Sequence, residues 1–259
     1  MTLVLAIETA TPRCSVALGH EGGLLASFSV DRDRRHVEAL VPAISSICHA
    51  AGVALADLDA VAVDTGPGLF TGMRVGIATA QALALALDLP VHPVCSLDVL
   101  AYPLRHAGQP VAAVVDARRG EVFRSLHQVG VELAGPACVS PATLAGELVE
   151  LGGGLATGDG AVRHRSVLEA AGAQIAAASP AALTPGPGDG GATRPPITAG
   201  GPSVIEVVAA MPTAESALEL ALARIAADVA GLDAALVQAR YLRTPDARAN
   251  FAVAAGGVA

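Results

Sequence analysis

Hydrophobic and polar positions divide the first hundred residues into short β-rich runs and longer helical stretches. Residues 3–7, 14–18 and 24–30 are apolar runs of strand length, and Gly19-His20-Glu21-Gly22-Gly23 turns the second back into the third. The period then changes. Val37, Leu40, Val41, Ile44, Ile47 and Cys48 recur at the i, i+3, i+4, i+7 spacing of one helix face, which predicts an amphipathic helix over 36–51 closed by Gly52. A strand over 59–64 ends in Thr65-Gly66-Pro67-Gly68. A long helix over 71–87, with Thr71 as its cap, stops at Asp88-Leu89-Pro90; a strand over 91–94 and a short helix over 97–104 follow.

The order β-β-β-α-β-α-β is that of a ribonuclease-H-like lobe, and it restarts near Pro110. Residues 111–116 and 121–129 form a hairpin around Ala117-Arg118-Arg119-Gly120. A helix over 141–151 has Ser140 as its cap and Pro141 in its first turn, and a strand over 156–158 and a helix over 162–171 come next. Two such lobes in series predict an α/β, two-lobed actin-like (ASKHA) fold with a degenerate second lobe, divided as residues 1–104 and 105–259. Residues 184–202, TPGPGDGGATRPPITAGGP, have the composition of a mobile insert, and residues after Asn250 that of a frayed tail. A last helix over 213–230, capped by Thr213, is free to return to the first lobe.

Composition narrows the function. Of 259 residues 53% are hydrophobic and 15% charged, which excludes a wholly disordered chain. All 16 basic residues are Arg, and the net charge is −8. A protein that grips nucleic acid unaided carries a basic surplus to replace phosphate counterions, so tight RNA or DNA binding needs a partner's charge. Cys14, Cys48, Cys95 and Cys138 lie far apart without a C-x-x-C pair, giving neither a zinc framework nor a disulfide scaffold. The first residues read as a strand and not as a leader, and the longest apolar stretch, 75–87, falls short of the ~20 residues a membrane span needs. A soluble, cytoplasmic protein is expected.

The strongest local signal is DTGPGLFTGMRVG over 64–76. Its glycines permit a tight strand-to-helix turn whose helix N-terminus would attract an anion, and equally they suit a structural turn that lets helices pack closely. The Lys of a P-loop is missing, and the third glycine falls one residue late for G-x-G-x-x-G. No G-x-S-x-G elbow or H-E-x-x-H motif occurs, and Cys48 and His49 point to different faces of their helix.

The stretch GPGLFTGMRVGIATAQALALAL resembles the signature of the bacterial TsaB (YeaZ) family, typically G-P-G-S-F-T-G-L-R-I-G. Leu5-Ala6-Ile7-Glu8-Thr9-Ala10 with Cys14-Ser15-Val16-Ala17-Leu18 resembles its first hairpin, Asp116-Ala117-Arg118-Arg119-Gly120-Glu121-Val122 the start of its second lobe, and Tyr241-Leu242-Arg243 with Pro245 its C-terminal motif. The chain departs from the family at Glu8, mostly Asp there, at Leu69 in place of Ser, and at Ala239, where Pro is common. The signature residues are Gly66, Pro67, Gly68, Thr71, Gly72 and Arg74.

The resemblance implies a non-catalytic subunit that binds and activates its paralogue TsaD. Together with the ATPase TsaE, these proteins make N6-threonylcarbamoyladenosine at position 37 of ANN-decoding tRNAs, and tRNA is met only through the complex. It implies no cofactor on this chain, with ATP and metal in the partner subunits. In TsaD two histidines four residues apart on the first helix help bind the metal; here His36 is followed by Leu40, and His36 is expected to be a capping or surface residue. The resemblance further implies that the first two helices pair with their TsaD counterparts, or with themselves in a homodimer. His36, Val37, Leu40, Val41, Ile44, Met73, Ile77, Ala80, Leu83 and Ala84 are the expected contacts, and Arg118 and Arg119 are candidate polar contacts. The other readings are a glycoprotease-like peptidase and a nucleotide-binding ATPase of the same fold.

Overall fold

The fold is taken from a computed structural model that describes residues 1–31, 36–170, 204–208 and 211–243. The insert over 184–202, Pro245 and the tail after Asn250 lie outside the described residues. In chain order the elements are β1 (Val4–Glu8), β2 (Arg13–His20), β3 (Gly23–Asp31), α1 (His36–Ala51), β4 (Ala60–Asp64), α2 (Phe70–Leu87), β5 (Val91–Val94) and α3 (Ser96–Ala101). They continue with β6 (Val111–Arg118), β7 (Glu121–Gln128), β8 (Val131–Val139), α4 (Pro141–Glu150), β9 (Gly153–Thr157), α5 (Asp159–Arg163), α6 (Arg165–Ala170), β10 (Val204–Val208) and α7 (Ala214–Ala226).

The strands make two sheets of the same design. The first has the order β3-β2-β1-β4-β5, and the second, read from its β8 edge, has β8-β7-β6-β9-β10. In each, three strands form an antiparallel meander and two more join in parallel. Two ribonuclease-H-like lobes in series make the actin-like architecture that the element order predicts.

Helices cover both faces of the first sheet, which is why β1 and β4 are apolar at nearly every position instead of alternating. On one face α1 and α2 supply Leu40, Ile44, Ile47, Met73, Ile77 and Ala80 to a core with Leu5, Ile7, Val16, Val61 and Val63. On the other, Ala214, Ala217, Leu218 and Ala221 of α7 pack with Val4, Ala6, Ala17, Ala60 and Ala62. The C-terminal helix thus lies on the first lobe, where Arg224 donates to Asp98 Oδ2 at 3.0 Å and to the Pro93 carbonyl at 2.9 Å. Helix α3 sits between the lobes, with its Leu97 and Leu100, and Leu104 in the turn after it, against Val111, Ala113 and Val115.

The predicted caps Ser140 and Thr213 accept from Thr143 and Ser216 amides. Elsewhere the boundaries differ. Strand β8 escapes the pattern because Gly135 and Pro136 interrupt it, and Pro is tolerated there because β8 is an edge. Glycines 153 and 154 hide the start of β9, which the sequence places at 156–158. The helix expected over 162–171 is two short ones broken at His164, and α7 stops at Ala226, short of 230. By length and composition α2 would pass for a membrane span. Its Met73, Gly76, Ile77, Ala80 and Ala84 are buried in the lobe.

Candidate partner-binding surface and the loop beneath it

Strand β4 ends at Asp64, and the chain turns through Thr65-Gly66-Pro67-Gly68 into α2. Gly66 takes a φ of 97°, the Gly66–Pro67 peptide is cis, and a Cβ on Gly66 would strike Met73 Sδ. Helix α2 begins at Phe70 with Leu69 as N-cap, and no side chain caps it. Thr71, expected to cap, lies exposed in the first turn instead. The helix entry is held by backbone: Leu69 N–H donates to the Ala10 carbonyl at 2.6 Å, and Thr9 Oγ1–H to the Gly72 carbonyl at 2.9 Å. A Cβ on Gly68, Gly72 or Gly76 would collide with the Ala10 carbonyl, the Thr9 carbonyl or Thr9 Oγ1 respectively. These glycines let α2 lie directly on the end of β1, as the structural-turn reading requires. The N-cap amide of α2, Leu69 N–H, is thereby taken by Ala10.

Helices α1 and α2 each bury one face and expose the other. Leu40, Ile44, Met73, Ile77, Ala80 and Ala84, expected at a partner interface, are core residues of the first lobe, and Leu83 is half-buried. They are on the apolar stripe because that stripe faces the chain's own sheet. The large apolar side chains left in solvent are Val37 at 70%, Val41 at 62%, Phe70 at 53% and Leu85 at 83% exposure. His36 is not a surface residue either. Its ring is buried, and Nε2–H donates to the Thr11 carbonyl at 2.9 Å, pinning α1 to the β1–β2 connection. Among the described residues no three His, Cys, Asp or Glu side chains converge.

Two motifs that the sequence places far apart meet at the foot of α2. The Arg74 guanidinium lies 3.8 Å over the Phe70 ring, its Nε donates to Tyr241 Oη at 3.4 Å, and the Phe70 and Tyr241 rings are 5.7 Å apart. The C-terminal segment reaches this point as a strap. Gln81 donates to the Ala234 and Val237 carbonyls, Arg240 N–H to the Thr65 carbonyl, and Arg243 to the Ala117 carbonyl and Glu121 of the second lobe. No periodicity marks such a segment. On the other side of Phe70 a groove of about 520 Å³ is lined by His36, Val37, Thr71, Val75 and Arg118.

Arg118 and Arg119 stand at the β6–β7 hairpin with φ of 64° and 55°. Arg118 is tied to its own strand, its N–H donating to Asp116 Oδ1 and its guanidinium lying 3.3 Å from Asp116 Oδ2. Both are exposed. Beneath the signature loop the titratable groups are buried. Burial lifts the Asp64 carboxyl to about 7 against the pull of Gly66 N–H and Ser96. Burial, and then the nearby Asp64, holds Glu8 well above the usual carboxylate range. Burial pushes the Cys14 and Cys95 thiols to about 11, so both are poor nucleophiles.

The family profile described as "TsaD: tRNA N6-adenosine threonylcarbamoyltransferase" matches residues 29–158. The Escherichia coli tRNA threonylcarbamoyladenosine biosynthesis protein TsaB is 40% identical over 127 residues, 48% of this chain and 54% of that protein. An uncharacterized Mycobacterium leprae protein is 44% identical over 145 residues, 54% of this chain and 40% of its own length. The solved structure of YeaZ from Pseudomonas aeruginosa superposes with a TM-score of 0.72 at 29% identity, over 93% of this chain and 100% of that one. The alignment spans 40% to 64% of the lengths of the first curated relatives.

Proposed function

We propose, from the premise that this chain belongs to the TsaB (YeaZ) family, that it is a non-catalytic scaffold in the synthesis of N6-threonylcarbamoyladenosine on tRNA. In this reading it binds TsaD through the exposed face of α1 and α2 and holds it in an active arrangement. The observation that carries the reading is that face: Val37, Val41, Phe70 and Leu85 stand in solvent on two neighbouring helices whose other faces are spent on the core. Burying these side chains against a partner's helices removes apolar surface from water at about 25 cal/mol per Å². The same face would serve self-pairing in a homodimer when TsaD is absent.

The charge of −8 supports a division of labour in which TsaD and TsaE supply ATP, metal and the basic surface for tRNA. This chain then takes no cofactor of its own and acts in the cytoplasm. Peptidase chemistry needs an activated nucleophile or water, and the buried thiols and engaged His36 offer neither. The test is a reconstitution with TsaD, TsaE, threonylcarbamoyl-adenylate and tRNA, with and without this chain. Modified adenosine that forms only in its presence is the expected result. Equal product without it overturns the reading.

A further inference from the structure

Glu8 and Asp64 end the neighbouring parallel strands β1 and β4, one step beyond the paired residues Ile7 and Val63. Glu8 also lies opposite Ser15 of β2. Neither carboxyl is exposed to solvent. Each uses one oxygen to hold a loop. Glu8 Oε1 accepts from Ala10 N–H at 2.8 Å, and Asp64 Oδ1 accepts from Gly66 N–H and from Ser96 Oγ–H, both at 2.7 Å. The second oxygens, Glu8 Oε2 and Asp64 Oδ2, are buried without a hydrogen-bond partner. Two acceptors left this way at the ends of neighbouring strands cost the full desolvation of each, and two like charges there also repel.

Among the described residues no counter-charge is free to relieve them. Arg13 acts on Glu8, but its Nε and Nη2 already grip Asp31 at 2.7 and 3.0 Å. Asp98, which faces Asp64, adds a negative charge and is itself paired with Arg224. The Cys14 and Cys95 thiols beside the pair stay neutral, and the His36 ring donates to backbone carbonyls.

We propose that Glu8 and Asp64 take up one proton between them, forming an O–H···O bridge from Glu8 Oε2 to Asp64 Oδ2 that ties β1 to β4 beneath the signature loop. The proton comes from solvent on folding and returns to it on unfolding. One hydrogen supplies the donor that both orphan oxygens need, and it halves the buried charge. Because Asp64 Oδ1 holds Gly66 N–H and Glu8 Oε1 holds Ala10 N–H, the bridge sets the turn into α2 and the β1–β2 connection against which that helix starts.

The sign follows from the direction in which burial moves both groups. Each carboxyl binds its proton more tightly folded than unfolded, so the contribution is complete below the unfolded value near 4 and is lost as pH rises through about 7 and above. In the full chain, the folding constant is expected to fall by about tenfold per pH unit between the unfolded value near 4 and the folded value of about 7 or above, where only the folded state holds the proton, and to level off once it leaves. In Glu8→Gln the side-chain amide donates permanently to Asp64, and that part of the slope disappears; Asp64→Asn does the same from the other side. Exchange of the Gly66 and Ala10 amides accelerates with pH more steeply in the unaltered chain than in Glu8→Gln. Equal slopes in the unaltered chain and both variants overturn the proposal. So does a Mg2+- or Ca2+-dependent gain of stability that Glu8→Gln abolishes, because the pair then holds a cation. If neither variant folds, infrared difference spectra of the unaltered chain between about pH 6 and about pH 9 decide. Loss of a protonated-carboxyl C=O band supports the bridge, and no such band overturns it.

Discussion

Leu40 and Val41 are adjacent on α1, equally apolar and both on the helical stripe, yet they are expected to fail in opposite ways. Leu40 is 1% exposed and belongs to the core with Leu5, Ile7 and Ile77, whereas Val41 is 62% exposed. Leu40→Ala leaves a cavity between α1 and the first sheet at a cost of about 2–5 kcal/mol. In a chain of this size each kcal/mol lowers the melting temperature by about 2–4 °C, so a mid-range loss of about 3 kcal/mol corresponds to about 6–12 °C. Val41→Asp puts its charge in water and should change stability by no more than about 0.5 kcal/mol. Pressed into an apolar helix interface, the same carboxylate is buried unpaired at about 2–5 kcal/mol, or a loss of at least ~30-fold in affinity. Scanning calorimetry of the two variants, with titration of purified TsaD into each, separates the effects. Leu40→Ala should melt early and, at a temperature where it is folded, bind normally; Val41→Asp should melt normally and not bind. If Val41→Asp melts as early as Leu40→Ala, or binds TsaD with unchanged affinity, the assignment of this face is wrong.

Two further expectations concern packing. Gly72→Ala should destabilise by about 1–2 kcal/mol despite the ~1 kcal/mol helix-propensity gain, because its Cβ would meet the fixed Thr9 carbonyl. Gly146→Ala, in α4 with open space around its Cα, should instead stabilise by up to ~1 kcal/mol, and urea unfolding of both checks the contrast. Arg124 joins three elements of the second lobe, with Nε and Nη2 on Glu147 at 2.8 and 2.6 Å and Nη1 on the Gly135 carbonyl at 2.7 Å. Arg124→Ala should cost about 2–3 kcal/mol and couple to Glu147→Ala in a double-mutant cycle; strictly additive losses would refute the pairing.

Much of the architecture is legible in local pattern. The change from strand-length apolar runs to the helical spacing of Val37, Leu40, Val41 and Ile44 marks β3 giving way to α1. The restart of that order near Pro110 announces the second lobe, and Ser140 and Thr213 declare their helix starts through side-chain oxygens that can reach an amide three residues on. Such signals survive in one sequence because they depend on residues within a turn or two of each other. Where Gly135 and Pro136 break the alternation, β8 is lost to the eye, since only its edge position makes them tolerable.

Periodicity says that a face is buried but not what buries it. The family resemblance puts Leu40 and Ile77 with Val37 and Val41 at an interface, and only the packed lobe sorts core from surface. The return of α7 to the first sheet, the meeting of Arg74 with Tyr241, and the burial of His36 join residues that are distant along the chain. The charge state of Glu8 and Asp64 belongs with them. Each carboxyl is an ordinary acid in sequence, and becomes a problem needing a shared proton only because β1 and β4 lie side by side, α3 covers Asp64, and water is excluded. Desolvation and like-charge repulsion are properties of the assembled site, so no local pattern can carry them.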